Sequence, residues 1–185
     1  MKKTCSYLMI LASVAFLLSG CLTCEKKEYS FEMTGKNSGK LTIRFINIMS
    51  VMDEGNDVSS EDFDELINTY LYGDQLENDF PEATDIQKKL YEENGMLCAE
   101  VTMQFDHLDA VRLFQYDRKS PVMYSLCSAW ENETFLDANG TYGGEVMPVV
   151  FWPEGTTTLS LTTQVTIPDE SCVSLIEQYN NWKNE

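Results

Sequence analysis

Residues 96–105 read Met-Leu-Cys-Ala-Glu-Val-Thr-Met-Gln-Phe, "MLCAEVTMQF". The odd positions Leu97, Ala99, Val101, Met103 and Phe105 are all apolar, and Cys98, Glu100, Thr102 and Gln104 alternate with them. Successive side chains point to opposite faces of a strand, so this period of two predicts a strand with one dry face and one wet face. Strands of that kind belong mostly to antiparallel sheets covered on one side. Asn94-Gly95, immediately before, turns the chain into it.

The pattern recurs outward in both directions. Residues 29–52, "YSFEMTGKNSGKLTIRFINIMSVM", centre on Gly35-Lys36-Asn37-Ser38-Gly39 and predict a hairpin. In its second arm Leu41, Ile43 and Phe45 alternate with Thr42 and Arg44. Far downstream, Leu159, Leu161, Val165 and Ile167 alternate with Ser160, Thr162, Gln164 and Thr166. "PVMYSLCSAW" (121–130) predicts another strand, and "LDANGTYGGE" (136–145) a glycine-rich hairpin turn. "VMPVVFW" (146–152) is a strand interrupted by Pro148, which places it at a sheet edge.

Between the strands the period changes. Phe63, Leu66, Ile67, Tyr70 and Leu71 fall at i, i+3, i+4, i+7 and i+8, the stripe of a one-sided helix. Ser59 or Ser60 caps it, Glu61, Asp62, Asp64 and Glu65 suit its positive start, and Gly73 ends it. Short helices are predicted within residues 74–94, with Ile86, Leu90 and Tyr91 inward, and over "HLDAVRLFQ" (107–115). A last helix starts near Ser171, with Leu175, Ile176, Tyr179 and Trp182 on one side. The fold class that follows is α+β: a two-layer sandwich, mostly antiparallel sheet with helices packed on one face, forming a single domain over residues 29–185.

Composition narrows the partners. The chain of 185 residues carries net charge −17. Nucleic acid is excluded as a partner by the want of basic patches, and anionic headgroups repel such a surface. Calcium or a basic partner suits the charge better.

The amino terminus decides location. Lys2 and Lys3 precede the apolar run "YLMILASVAFLL" (7–18), then Ser19, Gly20 and Cys21. Twelve residues suit a signal-peptide core and fall short of the roughly 20 that a spanning helix needs. Leu18-Ser19-Gly20-Cys21 resembles the bacterial lipoprotein box. The resemblance implies cleavage after residue 20, a diacylglyceryl group on the Cys21 sulfur and usually an acylated amino terminus. Each buried methylene adds about 0.8 kcal/mol, and two or more chains hold a protein stably on a membrane. Residues 21–28 then read as a polar, lipidated tether. Leu22 does not resemble the aspartate that retains some lipoproteins in an inner membrane, which favours the outer membrane of a Gram-negative cell envelope.

The turn and strand "NSGKLTIRF" (37–45), the amphipathic helix, then "GMLCAEVTMQF" (95–105) resemble the LppM-like lipoprotein domain over roughly residues 29–152. That resemblance implies a lipidated domain of similar layout, and no functional residue is carried across on it.

Four cysteines remain beyond Cys5 and Cys21: Cys24, Cys98, Cys127 and Cys172. Outside the cytoplasm they can oxidise, and they read as buried thiols or as one disulfide, Cys98 with Cys127, if their strands are neighbours. No Cys-x-x-Cys pair supports a zinc site. His107, between Asp106 and Asp109, has the neighbours a general base wants but no nucleophile elbow to serve, so it reads as a surface residue. The acidic stretch 53–65 has Val58 where a calcium loop needs glycine, and "DANGTYGG" has Tyr142 there. Tyr142, Phe151, Trp152 and Trp130 read as core before they read as a ligand platform. Asn132 and Asn139 head chance sequons.

The expected function is therefore a membrane-anchored, non-catalytic binding or structural domain with no cofactor beyond its covalent lipid. Two alternatives stand beside it. One is a carrier of lipid or a small apolar ligand, which needs a hollow between helix and sheet. The other is an extracytoplasmic hydrolase relying on carboxylates or calcium.

Overall fold

A computed structural model describes residues 21–126 and 133–184. The fold is β-rich, with two antiparallel sheets and few helices. The large sheet holds β1 (Leu22–Met33), β2 (Gly39–Val51), β3 (Thr84–Glu93), β4 (Met96–Phe105), β7 (Thr134–Ala138), β10 (Thr158–Gln164) and β11 (Cys172–Ser174). Its order is β3-β4-β2-β1-β10-β7, and β11 pairs with the end of β2 beyond the reach of β4. The small sheet is β5 (Leu113–Phe114), β6 (Val122–Ser125), β9 (Val149–Trp152) and β8 (Thr141–Tyr142), in that order.

The strand read first from the sequence is β4, with the bounds expected of it. Leu97, Ala99, Val101, Met103 and Phe105 are all buried. The hairpin of residues 29–52 is β1–β2, with Met33 opposite Gly39. Gly39 admits no side chain, because a Cβ there would sit 2.3 Å from the Glu32 carbonyl oxygen. Asn94 and Gly95, at φ 54° and 76°, make the two-residue turn between β3 and β4, where both central residues need positive φ. The wet face carries a polar network. Arg44 holds Glu28 at 2.7 Å and Glu93 at 2.6 Å, and its Nε donates to the Tyr91 hydroxyl at 3.0 Å.

The expected helix is α1 (Ser59–Glu65), but neither Ser59 nor Ser60 caps it: Val58 is the N-cap, with no cap hydrogen bond from its side chain, and the helix continues as a π-helical segment, Leu66–Leu71. Tyr72 N–H donates to the Ile67 carbonyl at 2.9 Å, closing the wider turn. α2 (Gln75–Asp79) and α3 (Ile176–Lys183) are short, and Leu108–Val111 is a single 3-10 turn.

Several expectations need correction. Residues 22–28 are no tether: they form the first half of β1, with Leu22 opposite Ser50 and Cys24 opposite Ile48. Residues 84–93 are a strand, not a helix. Lys88 occupies an inward position there, and Asp85, at φ 52°, marks an irregular register, so the alternation is broken in the sequence. β9 lies between β6 and β8, not at an edge, since Pro148 stops one residue short of it. The turn after β7 leads into a different sheet: β7 pairs with β10, while β8 pairs with β9. A short strand, β11, precedes α3.

The core falls into two clusters. The larger joins Tyr29, Phe31, Leu41, Met103, Phe105, Leu159 and Leu161 of the large sheet to Leu113, Tyr124, Val150 and Trp152 of the small one. There a second sheet, joined by Leu76 of α2 and by Leu108 and Val111 of the 3-10 turn, covers the strands, where helices alone were expected. The smaller joins Cys24, Ile48, Leu97 and Ala99 to Phe63, Leu66 and Ile67, and to Leu175 and Tyr179.

Candidate functional site

The two clusters do not fuse into one solid core. A cavity of about 560 Å³ lies along the seam, with Tyr29, Ile43 and Val101 of one cluster and Cys24, Ile48, Leu66 and Ala99 of the other on its wall. Small-molecule pockets run from roughly 300 to 1,000 Å³. Neighbouring strands supply the floor, and the π-helical segment supplies the roof through Leu66, Tyr70 and Leu71. In an α-helix, residues five apart diverge around the axis. The π-turn brings Leu66 and Leu71 to one wall, and such turns recur at functional sites.

Polar groups on the wall are held in place. Glu133 Oε1 accepts from Lys27 Nζ at 2.7 Å and from the Tyr29 hydroxyl at 2.8 Å. Glu133 Oε2 accepts from the Thr163 hydroxyl at 2.7 Å. The Glu133 side chain is 3% exposed and that of Lys27 15%. Burial pushes the Glu133 carboxyl up, but the Lys27 charge and the three donors outweigh it and leave the group below its ordinary value. Lys88, 11% exposed, donates to the Gly73 carbonyl at 2.6 Å and to Glu77 at 2.7 Å. It thereby ties the chain between the π-helical segment and α2 to edge strand β3. Arg112, at φ 62°, lies over the Phe80 ring at 4.8 Å. Burial pushes the Cys24 thiol up to about 12, so it stays protonated and adds to the apolar lining.

Of these residues only Cys24 was singled out from the sequence, and there as a thiol and not as part of a cavity wall. The alternation of Tyr29, Phe31 and Met33 was the available signal, since carried backwards it includes Lys27 on the same strand face.

The other residues that were singled out lie elsewhere. Cys21 is the first described residue, and its carbonyl accepts from Val51 N–H at 2.8 Å. Its thiol is raised by burial first, then by Asp62, Asp53 and Glu65. Cys98 is buried, and burial raises its thiol. Cys127 is outside the described residues, and with it the proposed pair. Trp130 and Asn132 are outside them too. His107 is exposed and sits 2.9 Å from Glu82, whose hydrogen bond raises its pKa. Trp152 is fully buried, with Nε1 donating to Asn139 Oδ1 at 2.7 Å, so both residues serve the core. Tyr142 stacks on Phe135 with ring centroids 4.1 Å apart. In the acidic stretch, Asp57 caps Ser59 N–H at 2.9 Å and the buried Asp62 accepts from the Ser50 hydroxyl at 2.6 Å. Among the described residues no group of three or more His, Cys, Asp or Glu side chains is gathered for a metal ion. Among them, too, no helix is long and apolar enough to cross a membrane.

Compared with known proteins, the chain matches no family model, no characterised protein and no solved structure.

Proposed function

We propose that this protein is a cell-envelope lipoprotein, anchored through Cys21, whose domain binds an acyl-chain ligand in the seam cavity without catalysis. The observation that carries the reading is the hollow itself. A structural domain of this size would close over its core to near-crystalline density. Here a half-open hollow of about 560 Å³, lined mostly by apolar side chains, lies between the two clusters instead. Its wall also carries a few fixed charges: Lys27 is held by Glu133, Lys88 by Glu77 and Lys89 by Glu100. A mostly apolar wall with a few fixed polar groups favours a ligand with a polar head and an apolar body.

The layered arrangement belongs to the same reading. Leu97 and Ala99, from one face of β4, pack with Phe63, Leu66 and Tyr179, so that α1, the π-helical segment and α3 roof one part of that face. The hydrolase alternative draws less support. Glu133 is held by three donors, Glu100 by Lys89 at 2.7 Å and Asp79 by Gln75 at 2.9 Å, which leaves these wall carboxylates engaged with donors and not facing one another as an acid and base.

Two measurements test the reading separately. Cells fed radioactive palmitate should label the protein, and Cys21→Ala should abolish the label; a labelled Cys21→Ala chain would remove the anchor. The Cys21→Ala chain, free of its own lipid, should bind fluorescent palmitate, and Ala99→Phe, which fills the hollow, should weaken binding at least about tenfold, or 1.4 kcal/mol. Equal binding by both chains would place the ligand elsewhere.

A further inference from the structure

The tether expected over residues 21–28 would stand the domain off its membrane on a flexible stalk. Eight residues of flexible chain would give a stand-off of roughly 16 Å. Here that slack is absent. The Cys21 carbonyl already accepts a sheet hydrogen bond from Val51, and Leu22 is already paired with Ser50. The first three residues after the anchor, Leu22, Thr23 and Cys24, all lie on the cavity wall. At about 3.3 Å per residue, Cys24 sits roughly 10 Å from the lipidated residue. The headgroup layer on each side of a bilayer is itself about 5–8 Å thick. With an acyl anchor on Cys21, the Leu22 end of the cavity would be held within reach of the headgroup layer.

A second observation comes from a distant part of the chain. The Thr166 hydroxyl lies 2.6 Å from that of Thr23, and Val165 and Thr166 share the same wall. The next residue, Ile167, is 78% exposed. An apolar side chain therefore projects beside the anchor on a strongly acidic protein. Asp53, Asp62 and Glu65 act on Cys21 as negative charges, so contact with anionic headgroups at this end is driven by grease and not by charge.

Resting on the anchoring and cavity readings above, we propose that the cavity opens onto the bilayer that holds Cys21 and takes its ligand, the acyl chain of a phospholipid, directly from that membrane. The short anchor acts as a docking device: it fixes the mouth against the source of the ligand.

The test uses the full, lipidated chain in phosphatidylcholine vesicles doped with pyrene-acyl phosphatidylglycerol. It is compared with a variant carrying twelve Gly-Ser residues between Cys21 and Leu22. Intact mass confirms acylation of both. Ile167→Trp should add emission quenched by brominated phosphatidylcholine, beyond that of the three native tryptophans. The linker should abolish that added quenching and slow pyrene uptake at least roughly tenfold, with final occupancy unchanged. Equal quenching and equal uptake rates in the two chains would overturn the proposal while leaving the cavity reading standing. Missing acyl mass would overturn the anchor, and absent pyrene uptake in both chains would overturn the cavity; either removes this inference as well.

Discussion

Replacing Lys27 by Met isolates the charge buried at the cavity wall. Lys27 and Glu133 are 2.7 Å apart and almost wholly withdrawn from water. At that distance, with an effective dielectric constant near 20, their gross attraction is about 6 kcal/mol, most of it offset by desolvation. Removing one partner of a buried pair costs roughly 3–5 kcal/mol, because the other charge is left behind. The Tyr29 and Thr163 hydroxyls still donate to Glu133, and methionine keeps contact with the Phe45 ring that lies 5.7 Å from the ammonium. The lower end, about 3 kcal/mol, is therefore expected. For a domain of this size that lowers Tm by roughly 6–12 °C. Adding Glu133→Gln to Lys27→Met removes the stranded charge, and the pair should recover about 2 kcal/mol relative to the sum of the single changes. The pH response supplies the sign. The Glu133 carboxyl is lowered in the folded state, so it stabilises the native chain above its ordinary value of 4.5, and that stability is lost as pH falls through the lowered value. Without Lys27, burial dominates and raises the carboxyl, so Lys27→Met should instead gain stability as pH falls from 7 towards 5. Urea melts at pH 7 and pH 5 check both statements. A cost below about 1 kcal/mol, the value of an exposed pair, with an unchanged pH response would refute the reasoning.

Three further perturbations follow from the same geometry. Lys88→Met cuts the tie to Gly73 and Glu77, so amide exchange across residues 66–79 should quicken by an opening energy of about 1–2 kcal/mol, while β4 keeps its protection. Asp85→Gly relieves a left-handed backbone at φ 52° on an exposed side chain and should raise stability by about 0.5–1 kcal/mol in urea melts. Ser50→Ala strands the buried Asp62 that ties α1 to β2 and should cost about 1.5–3 kcal/mol by thermal unfolding.

The sequence is legible where one physical term acts alone. In β4 the inward positions answer only to burial, and Leu97 through Phe105 show the alternation without a break. The stripe of α1 was legible for the same reason, though its π-helical end was not. A stripe at i, i+3 and i+4 reports an apolar face, and it does not report that the last turn widens to bring Leu66 and Leu71 to one wall. β1 and β3 were misread where inward positions carry lysine. Lys27 faces Glu133 from a different part of the chain, and Lys88 reaches a carbonyl across the cavity roof. A buried cation beside a remote partner looks, in one dimension, like a solvated residue. That is why residues 21–28 read as a tether.

The same blindness covered the site. A cavity wall needs apolar surface with a few fixed polar groups, and it is the polar groups that break the alternation from which strands are recognised. Gaps in the pattern at Lys27 and Lys88 thus coincide with the seam between the two core clusters, which Phe45 joins by packing against both. Tertiary pairing also fixed what no local reading reaches: that the strand starting at Leu22 leaves no slack behind Cys21. If the lipid is carried there, the sheet, the seam and the membrane surface form one continuous path. The acid-rich exterior, which includes Asp53 and Glu65 near Cys21, then leaves the lipid and not charge to hold the protein on an anionic surface.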